Sequence, residues 1–342
     1  MFSGYPVLDV HGHVTVPPAA NSQLVMWLGS NTPGASTIGQ DKAGPAQLTP
    51  EDFKTAADSH AAYMDERNID VQVIGPRPFL MMGWMEDHLL PAWTRYVNDM
   101  IHQQVRFHPS RFRGAAQLPQ VSAAEDLSNC IDELNRCVNE LGFVAAYVSP
   151  DPAGRRTTPG MHEAYWYPLY ERAQELGIPL IVHGTNALDR RYRVVPHNYQ
   201  LGFLTEQYLA GQFLGHGDVF DRFPELKVII CHCGGALNRF IPSDFHLPQR
   251  DLSDNLFYDT CGYDKIFLEA AIKQRGVASM AFGTEAPGSG RTIRPETGLS
   301  CDNLVPVIDA FDFLTAEDKR NIFHDKPLEL IPGFAKALAA ES

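Results

Sequence analysis

Short apolar runs recur along the chain, separated by longer segments in which apolar residues return every three or four positions. Eight runs have the first character: Tyr5–His13 (YPVLDVHGH), Ile69–Gly75, Phe112–Leu118, Phe143–Val148, Ile178–His183, Lys227–His232, Asn255–Thr260 and Ser279–Thr284. Most are β-branched and nearly continuous, the pattern of strands buried on both faces. Helical spacing runs through Pro91–His108, with Trp93, Tyr96, Val97, Met100, Ile101 and Val105. It recurs in Ala123–Leu141, Tyr165–Leu176 and Ile266–Gln274. Strands alternating with helices predict an α/β fold, a (β/α)8 TIM barrel, as a single domain over residues 1–342. The Pro/Gly/Ser-rich stretch 14–50 is expected to be an insertion loop after the first strand, and 315–342 a helical tail. A doubly wound sheet would place a Gly-rich phosphate loop after an early strand, and His11-Gly12-His13 is not one.

Composition narrows the class of partner. A chain of 342 residues suggests about two domains on average, yet an α/β barrel routinely uses this length as one. With 28 Lys+Arg against 41 Asp+Glu, the net charge of −13 opposes binding to nucleic acid or an anionic membrane. The six cysteines lack CxxC spacing, so buried free thiols in a reducing compartment are expected. Cys231-His232-Cys233 supplies too few ligands for a zinc site of its own. Met1–Val10 has neither a basic nor a long apolar segment, and no run approaches about 18 apolar residues. The expectation is a cytoplasmic protein.

The candidate chemistry lies at strand ends. In a strand, residues two apart share a face, so His11 and His13 aim the same way across Gly12. At the end of a barrel's first strand that direction is the mouth, where barrel active sites lie. His183 closes the fifth run, His232 the sixth, and Glu285 follows the eighth in Phe282-Gly283-Thr284-Glu285. Three neutral imidazoles plus a carboxylate suit one divalent ion, Zn2+ foremost, with Mn2+ or Fe2+ compatible by ligand type. Glu285 either ligates that ion or takes a proton from water as general base; both roles stay open. Arg77, held between Pro76 and Pro78 after the second strand, suits a bidentate carboxylate clamp. Arg291 in Gly288-Ser289-Gly290-Arg291-Thr292 offers a second cation, and His197 and Asn198 lie in the long fifth loop within reach of the mouth.

With HxH after the first strand, His after the fifth and sixth, and an acid after the eighth, the sequence resembles the amidohydrolase superfamily. More narrowly it resembles the branch of non-oxidative decarboxylases and hydratases that act in aromatic-compound degradation. The decarboxylases typically carry Asp in a Gly-Ser/Thr-Asp-Xaa-Pro turn; here the turn is Gly283-Thr284-Glu285-Ala286-Pro287. Together with Pro76-Arg77-Pro78-Phe79, Leu118-Pro119-Gln120-Val121, Tyr165–Glu171 and Thr292-Ile293-Arg294-Pro295-Glu296-Thr297-Gly298, it is most similar to the 4-oxalomesaconate hydratases. Ala286 where that group carries Cys, and Cys233-Gly234-Gly235 where a third glycine is usual, are departures that surround the substrate. The resemblance implies a metal held by His11, His13 and His183, with Glu285 as ligand or base. It further implies an oxo-polycarboxylate held by Arg77, Arg291 and His197, and His232 as proton donor or water-orienting group. A homodimer is common in this branch. A metal-dependent decarboxylase of an aromatic or enoic acid is the alternative it allows.

Overall fold

The computed structural model describes residues 4–17, 49–185, 187–189, 191–192, 200–241, 243–245 and 250–339. Eight parallel strands follow one another in chain order around a single sheet. They are β1 (Leu8–His13), β2 (Val71–Gly75), β3 (Phe112–Ala116), β4 (Ala145–Val148), β5 (Leu180–Val182), β6 (Val228–Ile230), β7 (Leu256–Asp259) and β8 (Met280–Ala281). Val10 N–H donates to the Phe282 carbonyl at 2.9 Å and Glu285 N–H to the His11 carbonyl at 2.8 Å. These bonds carry β1 onto the β8 side, so the sheet closes on itself as the TIM barrel expected. Each strand falls within the apolar run that predicts it, trimmed where the run turns into loop.

Among the described residues, the six helices of nine or more residues that surround the strands are α1 (Pro50–Asp65), α2 (Leu90–Phe107), α3 (Ile131–Asn139), α4 (Tyr167–Leu176), α5 (Gln200–His216) and α6 (Lys265–Arg275). Two of them, α1 and α5, lie outside the segments whose periodicity predicts helix. α1 begins at a capping box, Thr49 accepting from Asp52 N–H while Asp52 accepts from Thr49 N–H, with Pro50 in the first turn. The helix thus takes residue 50 from the expected insertion loop, of which residues 18–48 lie outside the described residues. α5 carries apolar side chains on all sides (Leu201, Phe203, Leu204, Tyr208, Leu209, Phe213, Leu214), so no polar face marks its period. The helix expected from Ala123 starts later, as a 3-10 turn Leu127–Cys130 capped by Asp126 and running into α3.

Two packed layers follow. Val10, Val71, Val73, Ala115, Ala145, Ile181, Ile229 and Phe257 fill the barrel interior. A larger layer lies between strands and helices. The tail contributes to the interior: α7 (Ala316–Arg320), a π turn Asn321–Asp325, α8 (Lys326–Leu330) and α9 (Phe334–Ala339) bring Leu330, Ile331, Phe334 and Ala337 against the barrel core. The candidate site lies at the opposite end, where the strands' C-terminal ends place their polar residues.

Candidate active site

His11 and His13 leave β1 on the inner face because the strand carries one extra residue between Asp9 and Gly12 relative to β2. Their rings stand edge to face, centroids 5.1 Å apart. His183 lies 5.2 Å from His11 and 5.1 Å from His13, and His232 lies 5.0 Å from His183. Four imidazoles from three strand ends therefore meet around one point.

The outer bonds of these rings fix which nitrogen faces inward. His11 Nδ1 donates to Asp259 Oδ2 at 2.6 Å, His13 Nδ1 to the Pro76 carbonyl at 2.8 Å and His183 Nδ1 to the Gly184 carbonyl at 2.7 Å. All three acceptors lack a proton, so each Nε2 presents a lone pair to the centre. His183 Nε2 is buried without a hydrogen-bond partner, and His11 Nε2 and His13 Nε2 face each other at 3.4 Å. Two ligands about 2.0–2.1 Å from a tetrahedral ion lie about 3.4 Å apart, so facing lone pairs at this distance suit a shared cation. Donor atoms of His11, His13, His183 and Glu285 all fall within 4.8 Å of one another. The residues fit a divalent metal.

Protonation states agree. Burial drives His13 down to about 4, despite the Glu285 contact, and holds His183 well below the usual histidine range. Burial also opposes charge on His11, but the hydrogen bond and charge of Asp259 outweigh it and raise its pKa, making Nε2 a stronger base. For Glu285 burial favours the neutral form, yet the His13 and His232 contacts prevail and hold the carboxyl well below its ordinary value. The neutral imidazoles of His13 and His183 and the ionised Glu285 carboxylate are in the forms that bind a cation.

Glu285 itself sits on a strained backbone, φ +59°, as do His232 at +53° and Cys233 at +56°. Its Oε1 is 3.5 Å from His13 Nε2 and its Oε2 3.8 Å from His232 Nε2. Tyr263 donates to Oε2 at 2.9 Å and Ser289 at 3.0 Å. The flanks of the turn are clamped. Thr284 donates to Asp9 through its hydroxyl at 2.6 Å and its N–H at 3.2 Å. Gln72 Nε2 bridges Asp9 Oδ2 and the Ala286 carbonyl, both at 2.8 Å. His60 Nε2 donates to Gln72 Oε1 at 2.8 Å. A Cβ on Gly12 would lie 2.4 Å from Gln72 Cδ and 2.7 Å from the Val73 carbonyl, so glycine between the histidines makes room for this clamp.

His232, on a turn after β6, holds Nδ1 against the Gln207 side-chain amide of α5. Arg77 is half-buried at the mouth and donates to the Val14 carbonyl at 3.0 Å and the Pro287 carbonyl at 3.2 Å, tying the loops after β1 and β8 together. Arg291 is exposed and its guanidinium lies 5.9 Å from the Tyr63 ring of α1. The structure brings it to that ring and records no bond from it to the histidine cluster. In the same loop Arg294 is the buried arginine, donating to the Tyr263 and Cys301 carbonyls at 2.5 Å and 3.0 Å. His197 and Asn198 lie outside the described residues. All six cysteines are unpaired and five are buried; Cys261 comes within 4.8 Å of donor atoms of His11 and His232.

Sequence reasoning passed over Asp259, Gln72, Gln207 and Tyr263. Asp259 had a signal, an acidic residue closing the seventh apolar run as histidines close others. It also accepts from Cys233 N–H at 2.9 Å and Cys261 N–H at 3.0 Å, binding the turns after β6 and β7 to His11.

Comparison with known proteins gives the chain's family and its relatives. The family described as Amidohydrolase matches residues 8–332. A 2-keto-4-carboxy-3-hexenedioate hydratase from Sphingobium sp. strain SYK-6 is 29% identical, covering 98% of each chain. The crystal structure of a 4-oxalomesaconate hydratase from Rhodopseudomonas palustris superposes with a TM-score of 0.77 at 28% identity, covering 98% of each chain. A gamma-resorcylate decarboxylase from Polaromonas sp. is 30% identical, over 53% of this chain and 56% of its own. No described helix is long and apolar enough to cross a membrane.

Proposed function

The chain belongs to the amidohydrolase family, and on that premise we propose that it is a metal-dependent hydro-lyase adding water to the C=C of an oxo-polycarboxylate like 4-oxalomesaconate. The observation that carries the reading is Glu285: a buried, ionised carboxylate completing a three-histidine set, in a chain whose full-length likeness is to hydratases. His11, His13 and His183 would hold the ion with Glu285 Oε1, and zinc suits this donor set best, with manganese compatible. When bound, the ion supplies Lewis acidity, favouring ionisation of water and the build-up of negative charge on the substrate oxygen.

The protein's own groups do the rest. Glu285 takes a proton from water as its oxygen bonds to the alkene carbon β to the ketone. Electron density moves to the ketone as an enolate, and His232 delivers a proton to the α carbon. The 3.8 Å from His232 Nε2 to Glu285 Oε2 lets the first proton return to His232, closing the cycle. Tyr263 and Ser289 hold Oε2 in place between these transfers. Substrate carboxylates are assigned to Arg77, Arg291, His197 and Asn198, and a cytoplasmic homodimer completes the proposal.

The test is metal analysis of the purified protein, followed by ultraviolet assay of 4-oxalomesaconate. Loss of the conjugated chromophore is expected; constant absorbance with fully metallated protein removes the reading. The half-length likeness to a decarboxylase keeps decarboxylation as the second reading, which CO2 release from an aromatic or enoic acid would favour.

A further inference from the structure

Opposite the Glu285 turn, the mouth over β4 and β5 contains a charged pair that the hydration chemistry leaves unused. α5 turns Phe203, Glu206 and Gln207 toward the barrel, where all three are buried. The Phe203 ring packs 5.5 Å from His183, and Gln207 reaches His232. Glu206 shares this buried face of α5, lying in sequence between the two residues that reach the histidines, and meets the loop after β4 at Arg156. It is only 6% exposed, and its Oε1 accepts no hydrogen bond among the described residues. Its cationic neighbour is Arg156, whose Nε stands 3.4 Å from Oε1 while the side chain is one-third exposed.

The surroundings hold this arrangement open. Arg156 has a left-handed backbone, φ +57°, fixed by its N–H donating to Asp151 Oδ2 at 2.7 Å. The Asp151 carbonyl accepts from Thr185 after β5 at 2.9 Å. The Arg156 guanidinium also contacts the Tyr192 hydroxyl and lies 4.0 Å from Asp189. Burial, with Asp151 adding to it and Arg156 opposing, lifts the Glu206 carboxyl to about 7. A buried acceptor without a donor costs about 1–3 kcal/mol, so such a group points to a ligand that supplies the donor.

We propose that Arg156 and Glu206 form a receptor for a hydroxycarboxylate, the guanidinium taking the carboxylate and Glu206 Oε1 accepting from the hydroxyl beside it. The inference rests on the hydratase reading, because hydration is what places a hydroxyl on a polycarboxylate. Arg156 exchanges its long contact with Glu206 for the ligand carboxylate, and the orphaned oxygen gains its donor. The pair thus senses the difference between hydrated product and alkene substrate.

Calorimetric titration of the metal-loaded protein with citramalate and methylsuccinate, which differ by one hydroxyl, tests this. Wild type should bind citramalate at least about ten-fold tighter, since a site built for a hydroxyl rejects its deoxy analogue. Arg156→Met should weaken both ligands about ten-fold or more. Glu206→Met should shrink the preference below about two-fold, and Glu206→Gln, which keeps a carbonyl acceptor, should retain part of it. Undetectable binding of both ligands to wild type, unchanged binding in Arg156→Met, or a full preference in Glu206→Met overturns the inference. A preference surviving in Glu206→Met would mean that another group reads the hydroxyl. Turnover of 4-oxalomesaconate by wild type is scored separately, so failure of the hydratase reading is told apart from failure of the receptor.

Discussion

The two sides of the barrel mouth are built on opposite terms. On the β1–β8 side the polar groups that frame Glu285 are bonded to one another: Thr284 and Gln72 to Asp9, Gln72 to Ala286, His60 to Gln72. On the β4–β5 side Glu206 is buried with one oxygen unbonded, beside an arginine at a long 3.4 Å. A satisfied network holds a strained side chain at one geometry whether or not substrate is present. An unsatisfied pair is improved by whatever arrives. The first arrangement suits the group that reacts, and the second suits the group that recognises.

The strongest way to break the contrast is at Glu285, the carboxylate proposed to react. Glu285→Gln keeps size and most contacts but cannot take a proton, so turnover of the hydration substrate should fall by ~10² or more with the thermal midpoint nearly unchanged. Full activity in this variant would remove Glu285 from the chemistry. Next in size is the bond behind His11. Asp259→Asn can present the wrong group to Nδ1 and removes the charge that strengthens Nε2, so metal affinity should fall about 10–100-fold. Competition against a chromogenic chelator measures it, and affinity equal to wild type would show that Asp259 only braces the turns after β6 and β7.

The clamp itself gives a smaller activity effect with a clear signature. Gln72→Met leaves Asp9, the Ala286 carbonyl and His60 each short of a partner, for a loss of about 3 kcal/mol in urea unfolding. Because the Glu285 turn loosens while Arg77 keeps its bond to the Val14 carbonyl, kcat should fall about ten-fold with KM within about two-fold. A change confined to stability would reduce the clamp to scaffolding.

How much of this was legible in sequence follows the range of each interaction. The strands were, because each apolar run is local. His11, His13, His183, His232 and Glu285 were, because a barrel converts strand ends into a common site and these residues announce metal chemistry. Gln72 and Gln207 were not: their partners lie 63 and 214 residues away in one case and 25 in the other, and a glutamine advertises no function alone. α1 was hidden at its start by the Pro/Gly-rich stretch before it, although Thr49-Pro50-Glu51-Asp52 is a capping signature. Arg291 shows the converse limit. Loop composition marks a cation there but does not say that its side chain lies over Tyr63.

The smallest effect reaches the satisfied side through its outermost member. His60 is buried between Gln72, Gln104 and the Thr15 hydroxyl. Burial, opposed by the Gln72 bond and reinforced by the Arg77 charge, pushes its pKa down to about 3. In the unfolded chain it titrates near 6.5, so as pH falls below about 6.5 the unfolded state gains a proton that the folded state refuses. Its stabilising contribution is complete above pH 6.5 and is lost as pH falls toward 3. Asp9, raised by burial to about 6 despite its hydrogen bonds, works the other way, holding a proton in the fold between about pH 4 and 6. Subtracting His60→Gln from wild type cancels Asp9 and every other shared group. Between pH 5.5 and 4.5 the stability of wild type should therefore fall more steeply than that of the variant, by about 1.4 kcal/mol per pH unit. Urea midpoints across that interval measure the difference. Parallel curves would mean that His60 accepts its proton in the folded state and that this side of the mouth is not the closed network described.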